Sequence, residues 1–195
     1  MTERMRGIAG SMFSGKTDEL IRQTRRAEFA GKKVAMFKPK VDNRWGLKDK
    51  VKSHSGAEHP AIEISHSGEI ESNVTAEIDV VAIDEIQFLD QGVVDVVKRL
   101  LDLDIEVIFG GLPLDFRGEP FGPMPILLAL SDEITRLTAI CTHRDNGDIC
   151  GEPATRTQRL LGGKPANYHD PIIMIGAENE YAPRCPRHHF VPGKP

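Results

Sequence analysis

The chain is poor in cysteine, lacks a basic excess and has no long apolar run, and each shortage narrows what it is. Three cysteines in 195 residues are too few for a disulfide-built scaffold, so their spacing is read for metal instead. Lysine and arginine number 25 against 29 aspartates and glutamates, a formal net charge of −4, which leaves no electrostatic footprint for nucleic acid. Nothing approaches the roughly 18 consecutive apolar residues that flag a membrane helix, and the opening Met1-Thr2-Glu3-Arg4 holds no apolar signal core. There is no internal repeat and no low-complexity tract. The length suits one good core with a small appendage. The expectation is a cytoplasmic protein without nucleic-acid or membrane partners.

What is present begins with Gly10-Ser11-Met12-Phe13-Ser14-Gly15-Lys16-Thr17, which fits G-x-x-x-x-G-K-[ST]. Ile8-Ala9 ends a short buried strand before it. Asp18 to Ala30 reads as a helix after it, with Leu20, Ile21, Thr24 and Ala27 on one face and Gly31 as its stop. The glycines let backbone N–H groups wrap a phosphate at a helix N-terminus. Lys16 then reaches the β- and γ-phosphates, and the Thr17 hydroxyl holds Mg2+. The bland alternative is a glycine-rich turn; the strand–loop–helix setting favours a nucleoside-triphosphate site.

Lys33 to Phe37 reads as the next strand, making a βαβ unit and hence parallel pairing. The polar stretch from Val41 to Pro60 carries Arg44, either a phosphate contact or a solvated charge, and His54, either a catalyst or a loop hydrogen-bonder. Ile62 to Ile64 reads as a short strand and Gly68 to Ala76 as a short helix. Asp79 to Glu85 is an apolar run ending in two acids, the pattern of a central parallel strand with its carboxyl end at a ligand crevice. Asp84 there is placed to hold Mg2+ opposite Thr17. Glu85 is placed to take a proton from an attacking hydroxyl or water. Asp90 reads as the cap of a helix to about Leu103, Ile105 to Phe109 as a strand, Pro125 to Leu130 as a helix, and Glu133 to Ile140 as a strand. Between these, Gly110 to Pro123 is a Gly/Pro-rich loop. Its Phe116 and Phe121 either line a slot for a flat ring or plug the core edge.

The remaining chain changes character. Cys141, Cys150, Cys185 and His188 match a tetrahedral Cys3His zinc site of structural type, with His143 and His189 as rival ligands. The Cys185–His188 spacing is typical; Thr142 to Ile149 make the Cys141–Cys150 turn wider than a usual knuckle. Ala154 to Tyr181 lies between the pairs as a lid pinned at both ends. Its tip is Leu161 to Pro165, Ile172 to Ile175 reads as an apolar strand, and Tyr168 and Tyr181 are the chain's two tyrosines. The domain division expected is 1–139 and 140–195.

With these pieces placed, the chain resembles the type II thymidine kinase family along nearly its whole length. The motifs that carry the likeness are Gly10–Thr17, Lys38–Arg44, Ser53–Gly56, Asp84–Phe88, Asp115–Phe121 and Thr155–Leu160. The resemblance implies an α/β fold: a phosphate-loop (RecA-like) parallel sheet flanked by helices, with a small zinc-binding domain carrying a lasso loop. It implies transfer of the γ-phosphoryl group of ATP to the 5′-hydroxyl of deoxythymidine in nucleotide salvage, with Glu85 as general base. It implies an ATP site from the Gly10–Thr17 loop with Asp84, Gln87 and Arg44. The thymidine side would take Phe88, Leu112, Phe116, Phe121 and Thr157, then Ile172, Ile173, Met174, Ile175 and Gly176, with Tyr181 closing the site. A homotetramer and feedback inhibition by thymidine triphosphate come with the likeness. Two rivals from other classes are a DNA-acting ATPase, disfavoured by the acidic balance, and a non-catalytic nucleotide sensor, disfavoured by Glu85 beside Asp84. A kinase preferring deoxycytidine or a purine nucleoside stands nearer.

Overall fold

The computed structural model describes residues 4–41, 49–173 and 181–195. In chain order these form β1 (Met5–Gly10), α1 (Lys16–Phe29), β2 (Val34–Pro39), β3 (Lys50–Lys52), β4 (Glu58–Pro60), β5 (Ile62–Ile64), α2 (Gly68–Asn73), β6 (Val80–Ile83), a 3-10 turn (Ile86–Phe88), α3 (Val93–Asp102), β7 (Glu106–Gly111), α4 (Met124–Leu130) and β8 (Glu133–Leu137). There follow β9 (Ala139–Ile140), β10 (Arg144–Asp145), β11 (Asp148–Ile149), β12 (Pro153–Ala154), β13 (Arg156–Leu161), β14 (Lys164–Pro165) and β15 (Tyr181–Arg184).

Six strands make one sheet in the order β5-β2-β6-β7-β1-β8, every pair parallel. The central strands are apolar on both faces because both are covered. Ile8, Met36, Val80, Ala82 and Ile108 point toward α1, where Leu20, Ile21 and Ala27 meet them. Their neighbours Ala9, Phe37, Val81, Ile83, Val107 and Phe109 point the other way, onto α3 and α4 through Val93, Val97, Leu100, Met124 and Leu127. This two-residue alternation sorts one apolar run into two cores. β8 is the sheet's edge beside β1 and is largely exposed.

α1 opens at Gly15, in the left-handed region at φ 82, and begins two residues before the expected start. It ends where Gly31 takes φ 83 and the Lys32 amide returns to the Ala27 carbonyl at 3.1 Å. The expected Glu133–Ile140 strand is divided. Glu133–Leu137 pairs with β1, and Ala139–Ile140 turns out of the sheet to pair antiparallel with β12. β13 is flanked on both edges, by β14 and by β15. Ile172 and Ile173 are in no strand, 42% and 49% exposed, a correction to that part of the strand expected over Ile172–Ile175: neither side chain is covered by a neighbouring element as a buried strand's would be.

Asp90 does not cap α3, whose N-cap is Gly92. Its carboxylate instead accepts the Ser67 amide at 2.8 Å, the Ser67 hydroxyl at 2.7 Å and the Gly92 amide at 3.0 Å, tying the start of α2 to the start of α3. The Ser67 amide, first among these donors, holds the carboxyl below its usual range against a smaller opposing effect of burial. A depressed folded-state value adds stability above the unfolded pKa near 3.9 and loses it as pH falls through the folded value. Asp90→Asn is therefore expected to unfold at lower urea than the parent at pH 7. The gap should close as pH falls below about 4; a gap independent of pH contradicts the assignment.

Candidate nucleotide and metal sites

The loop leaving β1 is held from both sides. The Lys16 ammonium, buried, donates to the Ser11 carbonyl at 2.9 Å, and the Ser14 hydroxyl donates to the same carbonyl at 2.8 Å. A Cβ at Gly10 would stand 2.4 Å from the Ser14 hydroxyl oxygen and 2.6 Å from the Leu137 carbonyl, so only glycine closes this turn. From the C-terminal segment, the Ala154 carbonyl accepts the Ser11 hydroxyl at 2.8 Å, and the Thr157 hydroxyl accepts the Met12 amide at 3.1 Å. Thr157, expected on the thymidine side, thus sits against the phosphate loop itself.

Asp84 directly follows β6 and is 1% exposed. The Thr17 hydroxyl donates to its carboxylate at 3.1 Å, so the two groups expected to share Mg2+ are together. A hydroxyl and a carboxylate are hard oxygen donors of the kind Mg2+ takes alongside phosphate oxygens. Glu85, also buried, has φ 47 and ψ 42, a left-handed backbone that costs a non-glycine residue energy and concentrates at functional sites. Phe13 in the loop is likewise at φ 65. Both line a cleft of about 360 Å³ with Lys16, Thr17, Asp18, His54 and Ser55. His54 meets Phe13 with ring centroids 5.4 Å apart, and the Ser55 hydroxyl donates to Asp18.

Gln87 is buried behind this cleft. Its amide N–H donates to Glu85, and its oxygen accepts the Leu112 amide at 3.0 Å. Two glycines make the room: a Cβ at Gly111 would lie 2.4 Å from the Gln87 side-chain oxygen, and one at Gly122 would lie 2.3 Å from its carbonyl. Of the aromatics, Phe88 and Phe121 meet edge to face at 5.6 Å. Phe116 is buried with Ala166, Val191 and Tyr168, under the guanidinium of Arg159 at 5.2 Å. Tyr181 opens β15 opposite Arg159. Arg44, Met174, Ile175 and Gly176 lie outside the described residues.

Cys141, Cys150, Cys185 and His188 converge, their ligand atoms within 4.8 Å of one another. His188 Nδ1 is 3.7 Å from the Cys141 sulfur and 3.5 Å from the Cys185 sulfur. Tetrahedral Zn2+ with bonds of about 2.0–2.3 Å sets its ligand atoms about 3.5–3.8 Å apart, so the residues fit the ion. Burial would raise the Cys141 thiol, but the Cys185 and His143 amides and then the His188 and Cys185 side chains outweigh it and hold it down at about 6. The Glu152 amide favours a Cys150 thiolate, yet desolvation and the adjacent Cys141 and Cys185 sulfurs push Cys150 up. A cluster that ionises one thiol easily and resists the next is what a cation would relieve.

The wide Cys141–Cys150 turn folds as a hairpin, β10 on β11, with Asn146 at φ 51 and Gly147 at φ 98, the Asn-Gly pattern of a two-residue hairpin turn. Of the rival ligands, His143 lies flat against His188 with ring centroids 4.2 Å apart and is not among the four converging groups. His189 is turned away, its Nε2 at 2.8 Å from the Phe116 carbonyl. Burial pushes His189 below its usual value, with that carbonyl opposing.

A parallel sheet whose first strand runs through a phosphate loop into a helix, with an acid from β6 meeting that loop's threonine, defines a phosphate-loop nucleoside-triphosphate-binding protein. The model of the thymidine kinase family matches residues 4–190. The chain belongs to that family and is a kinase. Among solved structures it is similar to the Thermotoga maritima RuvB Holliday junction branch migration motor, with 18% identity and a TM-score of 0.40, over 69% of this chain and 38% of that one. No helix among the described residues is long and apolar enough to cross a membrane. Metal analysis is expected to find about one zinc per chain. Cys185→Ser should release most of it and lower the melting temperature; a zinc content that Cys185→Ser leaves unchanged contradicts the site.

Proposed function

We propose that the chain is an ATP- and Mg2+-dependent deoxythymidine kinase producing thymidine monophosphate, with Glu85 as general base. The observation that carries this reading is the shared cleft: Lys16, Thr17 and Glu85 line one cavity, with Asp84 bonded to Thr17. Phosphoryl transfer asks little covalent work of a protein and much positioning and charge neutralisation. Residues 1–139 supply the phosphate site, and residues 140–195 supply its cover.

In this reading the Lys16 ammonium and the loop amides hold the β- and γ-phosphates. Thr17 and Asp84 are the residues that would hold Mg2+, which when bound neutralises charge between those phosphates. Glu85 takes the proton of the nucleoside 5′-hydroxyl as that oxygen bonds to the γ-phosphorus. The bond from phosphorus to the β-phosphate oxygen breaks, and ADP leaves with the electron pair. Gln87 supports this role because its amide N–H donates to the Glu85 carboxylate while its oxygen is fixed by the Leu112 amide. Phe88, Leu112, Phe116 and Phe121, with Tyr181 and the segment 172–176, border the base. Arg44 joins the phosphate contacts, and Thr157 acts from behind Met12. Zinc at Cys141, Cys150, Cys185 and His188 is structural, since all four positions are protein groups. The family membership extends the reading to salvage in the cytoplasm, a homotetramer and inhibition by thymidine triphosphate.

A nucleoside panel with ATP and Mg2+, following each monophosphate, tests the reading. Deoxythymidine is expected among the best acceptors. Deoxyuridine should be weaker but real, since one methyl is worth only ~1–3 kcal/mol of discrimination. Preference for deoxycytidine or a purine nucleoside overturns the substrate assignment. Glu85→Gln should lower kcat about 10²–10⁴-fold while leaving ATP binding near the parent value; unchanged turnover refutes the base.

A further inference from the structure

The hairpin between Cys141 and Cys150 brings one carboxylate onto the metal cluster. Asp145 closes β10, and one of its carboxylate oxygens lies 3.3 Å from His188 Nε2 while the other lies 3.3 Å from His143 Nε2. The His188 side chain is only 12% exposed, and its opposite nitrogen, Nδ1, faces the Cys141 and Cys185 sulfurs. His143 is stacked on its ring at 27° between planes. A ligating imidazole must present a bare nitrogen to the ion and carry its proton on the other, and a carboxylate at that other nitrogen fixes the tautomer and raises the ligand's basicity.

The geometry points to Asp145 as the positioning residue of the zinc site, holding His188 with its proton on Nε2 so that Nδ1 is bare toward the ion. His143 is a bystander to ligation: it shares the carboxylate and braces the imidazole face. The inference rests on reading the four converging residues as a zinc site. It explains why the turn is long, because a two-residue connection between Cys141 and Cys150 would leave no carboxylate on this side. The Asn146-Gly147 turn, closed by the Arg144 guanidinium on the Gly147 carbonyl at 2.8 Å, carries Asp145 to His188.

The test titrates the full chain with Zn2+ against a chromophoric chelator. Asp145→Ala is expected to bind zinc about 10–100-fold more weakly than the parent. The visible spectrum of the Co2+-loaded variant should still report three thiolates and one imidazole, because no ligand has been removed. In a ¹H–¹⁵N NMR spectrum of the zinc-loaded parent, the His188 Nε2–H proton should be protected from water exchange, and in Asp145→Ala that protection should be lost. A merely structural role for the hairpin would not move this signal. Asp145→Asn, which keeps the shape and one acceptor, should lose less affinity and serves if the alanine variant fails to fold. Affinity within twofold of the parent in whichever variant folds overturns the proposal. So do two tightly bound ions per chain, which would make Asp145 a ligand of a second site. A parent that binds no zinc, or a Cys185→Ser variant with undiminished affinity, fails the underlying reading and removes the proposal with it.

Discussion

Thr17 lies in the first turn of α1 just past the loop that leaves β1, Asp84 follows β6, and β7 lies between those two strands. Their contact therefore has to cross the carboxyl end of β7, and that crossing sets the terms for the rest of the cleft. β7 ends in Gly110 and Gly111. A side chain at Gly110 would begin 3.6 Å from the Asp84 carboxylate, and one at Gly111 would collide with Gln87. With no side chains at that end, the Thr17 hydroxyl reaches the Asp84 carboxylate across the sheet edge, and the Gln87 amide has room to reach Glu85 beside it. The parallel topology brings all the relevant strand ends to the same side, and the glycines let their side chains converge there.

The same crowding accounts for the backbone at Glu85. The residue after Asp84 must turn sharply into the 86–88 helical turn while keeping its side chain on the cleft that Lys16 and Thr17 also line. It adopts a left-handed conformation that a glycine would take more cheaply. Glutamate at a position conformationally suited to glycine indicates that its side chain, not its backbone, is what the site needs. Gln87 holds that side chain from behind through one donated hydrogen bond, while its own oxygen is fixed by the Leu112 amide.

Much of this was legible in the residues alone. The phosphate loop, the two acids that follow β6 and the apolar runs of the central strands are local patterns, and each falls where its spacing requires. The Cys3His set was legible as a spacing, with His143 and His189 open as rivals that only the chain's path could separate. Features that depend on distant partners were not legible. Asp90 reads locally as a helix cap because it precedes an amphipathic run, yet its carboxylate is shared between Ser67 and the Gly92 amide, which ties α2 to α3. Ile172 and Ile173 read as a strand by their apolar run, yet both stand exposed and lie in no strand. Thr157 is an ordinary strand residue until β13 is laid against the phosphate loop. The Asn-Gly pair at 146 and 147 was a hairpin signal within reach of sequence reasoning, and with it the placement of Asp145.

The phosphate loop is backed by the chain's last third, not by solvent. Ser11 and Met12 bond to Ala154 and Thr157, and Phe13 packs against the small core that holds Cys141 and Cys185. The residues that surround the Cys/His cluster thus also build the wall behind the phosphate loop, and a ligand that tightened one through this contact would act on the other. Under such coupling, thermodynamic reciprocity would require a triphosphate at the loop to raise the core's affinity for an ion by the same factor by which the ion favoured the triphosphate. Each ligand would then report on the presence of the other.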